Sequence, residues 1–407
     1  MDGACLPGVM IMRLMLLILL GVNACSGPAP VPAPAPSTSP RPTGAPTPPA
    51  ATAPATVPAA PTAEQREVDR LEQISEHKAR DPDVLLALGT ARARAGDLRG
   101  AALEYRRAAR LSPKDLRPRY NLALVLVRIG RTTEALQALE DAHRLAPRNV
   151  DVLIDLGIAL RQASRLPASS KALRQAGRLN PSSHRAQLNL ALTLEAMGHT
   201  RPAMDVYRRA GTLKPQDARA HLHLGVLLGR QSQYAQAAEA FRRALAADPK
   251  IMEAHANLGT LLLRTKAHEE AARHLELAVT ARPDDQAMQM NLGLALQNSG
   301  QHARAVTAYR RAVALLPDMA EARLRLGLEL ARTGASKAAQ SEVARALGQD
   351  RKLRAAVDPV VQELGQKQQL EPALALTRAI LVVFPTDGMA RHNQVALESM
   401  IKRTKGQ

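Results

Sequence analysis

Hydrogen-bonding side chains, most of them asparagines, recur along this chain at a fixed interval. Asn121, Asp155, Asn189, His223, Asn257 and Asn291 follow one another 34 residues apart. An asparagine amide offers a donor and an acceptor, as a peptide bond does, so such a row suits the holding of another backbone. Arg128, Arg230 and Arg264 each stand seven residues after a member of the row and would favour carboxylates. Three residues after the row come Leu124, Ile158, Leu192, Val226 and Leu294, an aliphatic series. Catalytic patterns are missing: there is no His-Glu-x-x-His, no paired cysteines, no glycine-rich phosphate loop and no Gly-x-Ser-x-Gly. His221 and His223 are two apart on a helix and point to different faces, which does not make a metal pair. The sequence therefore leads us to expect no enzyme, no cofactor and no metal. One thiol stands out, Cys25, directly behind the uncharged run Leu14 to Val22.

The rows imply elements that repeat every 34 residues. With position 1 at Pro82, the frame runs to Asp387 without insertion or deletion. Position 7 is Leu in eight repeats, from Leu88 to Leu326, and position 8 is Gly or Ala from Gly89 to Gly327. Position 20 is Ala except at Ser169, position 27 is Ala from Ala108 to Ala346, and position 32 is Pro from Pro113 to Pro317. A ninth, worn repeat keeps Ala373 and Pro385. This pattern resembles the tetratricopeptide repeat family, although the usual Trp at position 4 is absent because the chain has no Trp. Position 24 keeps its aromatic at Tyr105, Tyr207, Phe241 and Tyr309. Small residues at 8, 20 and 27 let paired helices approach, and Leu at 7 with the aromatic at 24 fills the space between them. Proline at 32 ends the second helix.

The fold class expected is all-α, a right-handed superhelical solenoid of about nine helix-turn-helix repeats with a capping helix at each end. The segments are 1–24 signal peptide, 25–62 lipidated cysteine and linker, 63–81 N-terminal capping helix and 82–353 repeats one to eight. A degenerate ninth repeat at 354–387 and a C-terminal capping helix and tail at 388–407 complete the division. Thr62 to Gln65 reads as a capping box, Asp387 as a cap for the last helix, and Pro359 predicts a late, short first helix in repeat nine.

Helical geometry places positions 4, 7, 8 and 11 on one side of the first helix and 2, 6, 9 and 13 on the other. In tetratricopeptide proteins the second side lines a concave groove, and the resemblance implies a protein or peptide partner there. The position-6 row resembles the asparagine ladder with which long members of the family hold extended peptides. The two-carboxylate clamp needs Lys at 5 and Asn at 9 in one repeat, which no repeat here carries.

Leu14 to Val22 is too short to span a bilayer, which needs about 20 apolar residues, and with Arg13 ahead it matches a secretory signal. Val22-Asn23-Ala24-Cys25 resembles the lipobox of bacterial lipoproteins. That resemblance implies acylation of Cys25, loss of residues 1–24 and a lipid anchor in a bacterial cell envelope, expected on the periplasmic side of the outer membrane in preference to the inner membrane, with translation starting at Met1, Met10 or Met12. The only other cysteine, Cys5, precedes the signal core, so no disulfide is expected in the mature chain. Thirteen prolines between Ser26 and Thr62 predict an extended spacer reaching roughly 115 Å at full stretch.

The chain carries 55 Lys+Arg against 37 Asp+Glu, a net charge of +18. Much of the excess lies in pairs at positions 25 and 26: Arg106-Arg107, Arg208-Arg209, Arg242-Arg243 and Arg310-Arg311. Export and a shortage of stacking aromatics, five Tyr and two Phe, argue against nucleic acid. An anionic envelope polymer, lipid headgroups or an acidic protein fit the charge, as does a merely soluble outer face. The function expected is a non-enzymatic, envelope-anchored scaffold that helps assemble a secretin, pilus or motility complex. An adaptor for cell-wall hydrolases, a substrate-presenting subunit of a separate enzyme and a binder of anionic polymer are the alternatives.

Overall fold

The computed structural model describes residues 62–405, in which there are 20 α-helices, one 3-10 turn and no strand. These residues fall into two compact units, 62–197 and 198–405. In the first, α1 (Ala63–His77) precedes three hairpins: α2 (Pro82–Arg94) with α3 (Leu98–Leu111), α4 (Leu116–Arg128) with α5 (Thr132–Leu145), and α6 (Val150–Gln162) with α7 (Leu166–Leu179). Helix α8 (His184–Ala196) ends that unit. The second opens with α9 (Thr200–Leu213), followed by α10 (Ala218–Arg230), α11 (Tyr234–Ala247), α12 (Met252–Arg264) and α13 (His268–Ala281). It continues through α14 (Gln286–Asn298), α15 (His302–Leu315), α16 (Ala320–Arg332) and α17 (Ser336–Gln349). A 3-10 turn (Arg351–Ala356) leads into α18 (Asp358–Gln366), α19 (Leu370–Val383) and α20 (Gly388–Lys405). Within each unit successive hairpins stack on one another.

Close approach inside each hairpin rests on position 8. A Cβ added to Gly89 would lie 2.7 Å from the Tyr105 ring, one on Gly225 2.7 Å from Phe241, and one on Gly293 2.5 Å from Tyr309. The ring lies against the backbone of the first helix because no side chain intervenes. Leu88, Leu258 and the rest of position 7 are buried beside it.

The turn between the helices of a hairpin has one backbone requirement. Position 15 is left-handed in every repeat described, and Gly96, Gly130, Gly198, Gly300 and Gly334 meet it with φ between 75° and 91°. Ser164, Ser232, Lys266 and Gln368 are held at φ of 58–62° without that freedom. The hydrogen bonds are those of a Schellman ending: the Arg131 N–H donates to the Leu126 carbonyl (2.9 Å) and the Gly130 N–H to that of Val127 (3.1 Å). Ser232 and Lys266 lie in the same arrangement.

First helices are opened by side chains at position 34. Asp81, Asp115, Asn149, Ser183, Asp217 and Asp285 each accept from a first-turn N–H, which satisfies donors the helix cannot use. Position 4, where the family's Trp is missing, holds the buried aliphatics Leu85, Leu153 and Val357 in three repeats and polar side chains in the others. Gln289 donates to the Pro283 carbonyl (3.1 Å), Arg323 to that of Pro317 (2.9 Å) and Arg391 to that of Pro385 (2.8 Å). His255 Nε2 reaches the Pro249 carbonyl at 3.1 Å, and its Nδ1 lies 2.8 Å from Nδ1 of His274. Since a carbonyl only accepts, a neutral His255 carries its proton on Nε2 and accepts from His274 at Nδ1. Each of the contacts to a proline carbonyl ties the exit of one second helix to the following first helix.

At the ends, Thr62 Oγ1 accepts from the Gln65 N–H (3.2 Å), but the Gln65 amide donates to Asp69 (3.1 Å) instead of returning to Thr62, so only half of the expected capping box forms. Asp387 accepts from the Ala390 N–H (2.9 Å) and from Arg354 (2.8 Å). Arg332 reaches Glu363 at 2.8 Å, and its hydrogen bond holds the Glu363 carboxyl down to about 2.

Two substitutions test the turn and the packing. A left-handed non-glycine residue costs roughly 1–2 kcal/mol, so Ser232→Gly and Lys266→Gly should each raise the thermal midpoint. Gly293→Val should lower it, because overpacking a filled core costs about 1–3 kcal/mol. Circular-dichroism melts of the three variants check both signs.

Candidate functional site

In the first unit, Asn121, Asp155 and Asn189 occupy the same turn of α4, α6 and α8, but their surroundings differ. Asp155 is buried, 8% exposed, and both carboxylate oxygens have partners: Tyr120 Oη donates at 2.6 Å to one, and Arg185 pairs with the other. Burial pushes the Asp155 carboxyl up, against the opposing effects of the Tyr120 hydrogen bond and the Arg185 charge. Asp155 is therefore a tie between neighbouring first helices, with both oxygens already engaged inside the fold. Asn189 donates to the Arg185 carbonyl in its own helix (2.8 Å), which leaves its amide oxygen available. Asn121 makes no side-chain hydrogen bond among the described residues and is half-buried.

One signal escaped the sequence reading. Position 2 alternates Asp83, Arg117, Asp151, Arg185, and the structure joins Arg117 to Asp83 at 2.8 Å and Arg185 to Asp151 at 3.7 Å. Opposite charges one repeat apart on an exposed row announce such a ladder. The Tyr120–Asp155 bond had no comparable signature, since it joins position 5 of one repeat to position 6 of the next.

In the second unit, His223, Asn257 and Asn291 lie on α10, α12 and α14. The His223 ring stacks on Tyr207 at 5.4 Å between centroids and 8° between planes. His221, two residues earlier, is buried against Gly211, and burial lowers its pKa, so the two imidazoles do face different surroundings. Asn291 Nδ2 donates to Thr260 Oγ1 of the preceding repeat at 3.3 Å, which puts positions 6 and 9 of successive repeats within reach of each other. Asn257 is half-buried and makes no side-chain hydrogen bond among the described residues.

The arginines of position 13 also divide. Arg128 and Arg230 are exposed and make no ion pair among the described residues. Arg264 is exposed with its guanidinium 4.7 Å from the centroid of the Tyr234 ring, which fixes the cation without neutralising it. Arg332, which continues the row, is engaged by Glu329 (2.6 Å) and Glu363 (2.8 Å). At position 9, Ile158, Leu192, Val226 and Leu294 are half-buried, whereas Leu328 is buried.

The paired arginines of the second helices are mostly occupied. Arg106 pairs with Glu134 (2.5 Å), Arg107 with Glu104 (2.9 Å), Arg208 with Asp205 (2.8 Å), Arg242 with Glu270 (2.9 Å), Arg243 with Glu239 (3.0 Å) and Arg311 with Asp284. Arg209 and Arg310 make no pair among the described residues. Among those residues no group of three or more His, Cys, Asp or Glu is placed to hold a metal, and no helix is long and apolar enough to cross a membrane. Cys25 lies outside the described residues.

Solved structures with the same kind of fold include YrrB, a tetratricopeptide protein with an unusual peptide-binding site. It is 21% identical, with 46% of this chain and 96% of that one covered and a TM-score of 0.41. The pilF protein of Pseudomonas aeruginosa is 20% identical over 51% of this chain and 95% of its own, with a TM-score of 0.46. MamA of Desulfovibrio magneticus is 24% identical over 42% and 97%, with a TM-score of 0.38. No curated protein matches the sequence. The tetratricopeptide repeat profile matches residues 79–150, 154–218, 222–286 and 290–353, together well over half of the chain. With the helix pairs of those segments repeating every 34 residues, the chain belongs to the tetratricopeptide repeat family.

Proposed function

We propose that this protein is a non-enzymatic scaffold that holds an extended segment of a partner protein along its first helices. Proteins of this family mediate protein–protein interactions, and repeat solenoids present extended binding surfaces. The observation that carries the finer reading is Asn257: an amide with both ends uncommitted, on a half-buried row, in a helix that also carries exposed Arg264 and follows the repeat that carries exposed Arg230. Packing does not use that amide, whereas a partner backbone can take its donor and its acceptor together. Val226 and Leu294 supply apolar contact at position 9, and the arginines favour a ligand with carboxylates. Asn121 offers the same chemistry in the first unit; Asp155 does not, for the reason given above.

The sequence before residue 62 supports an anchor. An apolar run ending in Val22-Asn23-Ala24-Cys25, followed by a proline-rich spacer, is what a lipid-anchored envelope protein requires. We place the scaffold in a bacterial envelope, on the periplasmic side of the outer membrane, where assembly of a secretin, pilus or motility complex would use it. The alternative partners are cell-wall hydrolases, or a separate enzyme to which the repeats present substrate.

Photo-crosslinking tests the binding face. A crosslinking residue at Asn257 in intact cells should trap a defined protein, and one at Arg209 on an outer face should not. With that partner purified, Asn257→Ala should weaken binding about 2- to 10-fold, the net worth of one hydrogen bond, at nearly unchanged melting temperature. Wild-type affinity in the alanine variant would remove the row from consideration.

The anchor has its own test. Cys25→Ser should move the protein from the membrane fraction to the soluble fraction of lysed cells, because acylation has no other thiol in the mature chain. A serine variant that still sediments after a high-salt wash would overturn the lipid anchor.

A further inference from the structure

Two second helices neutralise their position-25 arginine across the repeat boundary, and α7 has no such partner. At position 25, Arg106 and Arg242 each reach a glutamate 28 residues on, Glu134 at 2.5 Å and Glu270 at 2.9 Å. Arg174 occupies position 25 in α7, and the residue 28 further on is Pro202, which has no carboxylate. Its own helix, LPASSKALRQAGRL, contains no acidic residue. Helix α15 also lacks acids, but there Arg304 and Arg311 reach Glu276 and Asp284 of the preceding repeat.

Lys171, Arg174 and Arg178 are exposed, and none has an ion-pair partner among the described residues. Spaced by three and four residues, they lie within about 60° on one side of the helix, separated by roughly 4.5 and 6 Å along its axis. They border a cleft with Pro167, Ser170, Gln175 and Met197. Gln175 already donates to the Pro147 carbonyl at 2.9 Å, so the cations are the groups there that remain to be matched.

We propose that this face of α7 docks an acidic segment of a partner protein. Three unneutralised cations in a line call for anions in a line. An extended chain with acidic residues at alternate positions supplies carboxylates about 6.7 Å apart, close to the separation of Arg174 and Arg178. A lipid surface fits less well, because α7 exposes no large apolar side chain to enter a bilayer. Nucleic acid would find no aromatic ring in the cleft on which to stack. The surface lies on a second helix and is separate from the position-6 row.

The test is binding of a fluorescent octaglutamate peptide to the full chain in detergent, read by anisotropy at about 0.15 M salt, where surface fields are largely screened beyond ~8 Å. The triple variant Lys171→Glu, Arg174→Glu, Arg178→Glu should bind about tenfold more weakly or worse. A control variant, Arg110→Glu, Arg209→Glu, Arg310→Glu, makes the same change in net charge at scattered, exposed, unpaired arginines and should lose no more than about threefold. Replacing the three α7 residues by Gln should give an intermediate loss and guards against a folding defect, which circular dichroism would reveal. Equal losses in the patch and control variants would overturn the proposal, as would failure of the wild-type chain to bind the peptide. It would fall equally if vesicles containing phosphatidylglycerol bound in a patch-dependent way while peptide binding did not depend on the patch.

Discussion

The contact on which this structure depends is the one between glycine or alanine at position 8 and the side chain at position 24. Gly225 under Phe241 and Gly293 under Tyr309 leave no room for even one methyl group. Distances that short fix how closely a first helix approaches its mate, and a rigid hairpin has an apolar flank that only the next hairpin can cover. A uniform hairpin stacked repeatedly brings residues 34 apart into register along each unit. Every ladder described here follows from that register: Asp83 with Arg117, Arg106 with Glu134, Arg242 with Glu270.

Register alone does not decide whether a row serves the fold or a ligand. Asp155 and Asn257 share position 6, yet the first is tied to Tyr120 and Arg185 while the second has no internal partner. Two neighbouring choices make the difference. Repeat two offers a tyrosine at position 5 and repeat four an arginine at position 2, and together they take both carboxylate oxygens. Around Asn257 the corresponding residues are Leu222 and Ala287, which offer no hydrogen bond from their side chains. Burying an unmatched polar group is costly, so an uncommitted amide is tolerated there because the row stays partly open to water.

The period, the small positions, the proline stops and both terminal caps were readable in the sequence, because each is a property of one residue type at one place. The left-handed residue at position 15 was less legible. Gly130 and Gly300 announce it, but Ser164, Ser232, Lys266 and Gln368 do not, and there the flanking helices impose a conformation that the residue does not prefer. The donors at position 4 escaped for a different reason. Gln289, Arg323 and Arg391 look like surface residues in the sequence, and only the packed turn shows that each has a proline carbonyl to satisfy. In those repeats hydrogen bonding stands where the family has a tryptophan, whereas Leu85, Leu153 and Val357 fill the position with apolar bulk.

The net charge of +18 acquires meaning once neutralised cations are separated from the others. Paired arginines such as Arg106, Arg242 and Arg304 join one repeat to the next, and as exposed pairs they contribute little to stability, on the order of 0–1 kcal/mol each. Their acids cancel most of their field. The field that a partner meets therefore comes from the unpaired remainder, which includes Arg128, Arg230 and Arg264 on first helices and Lys171, Arg174 and Arg178 on α7. Both sets favour carboxylates, but they stand on opposite helices of their hairpins and belong to different contacts. A partner carrying two acidic segments could engage both, and the joint affinity would then depend on the linker between those segments as well as on the strength of either contact.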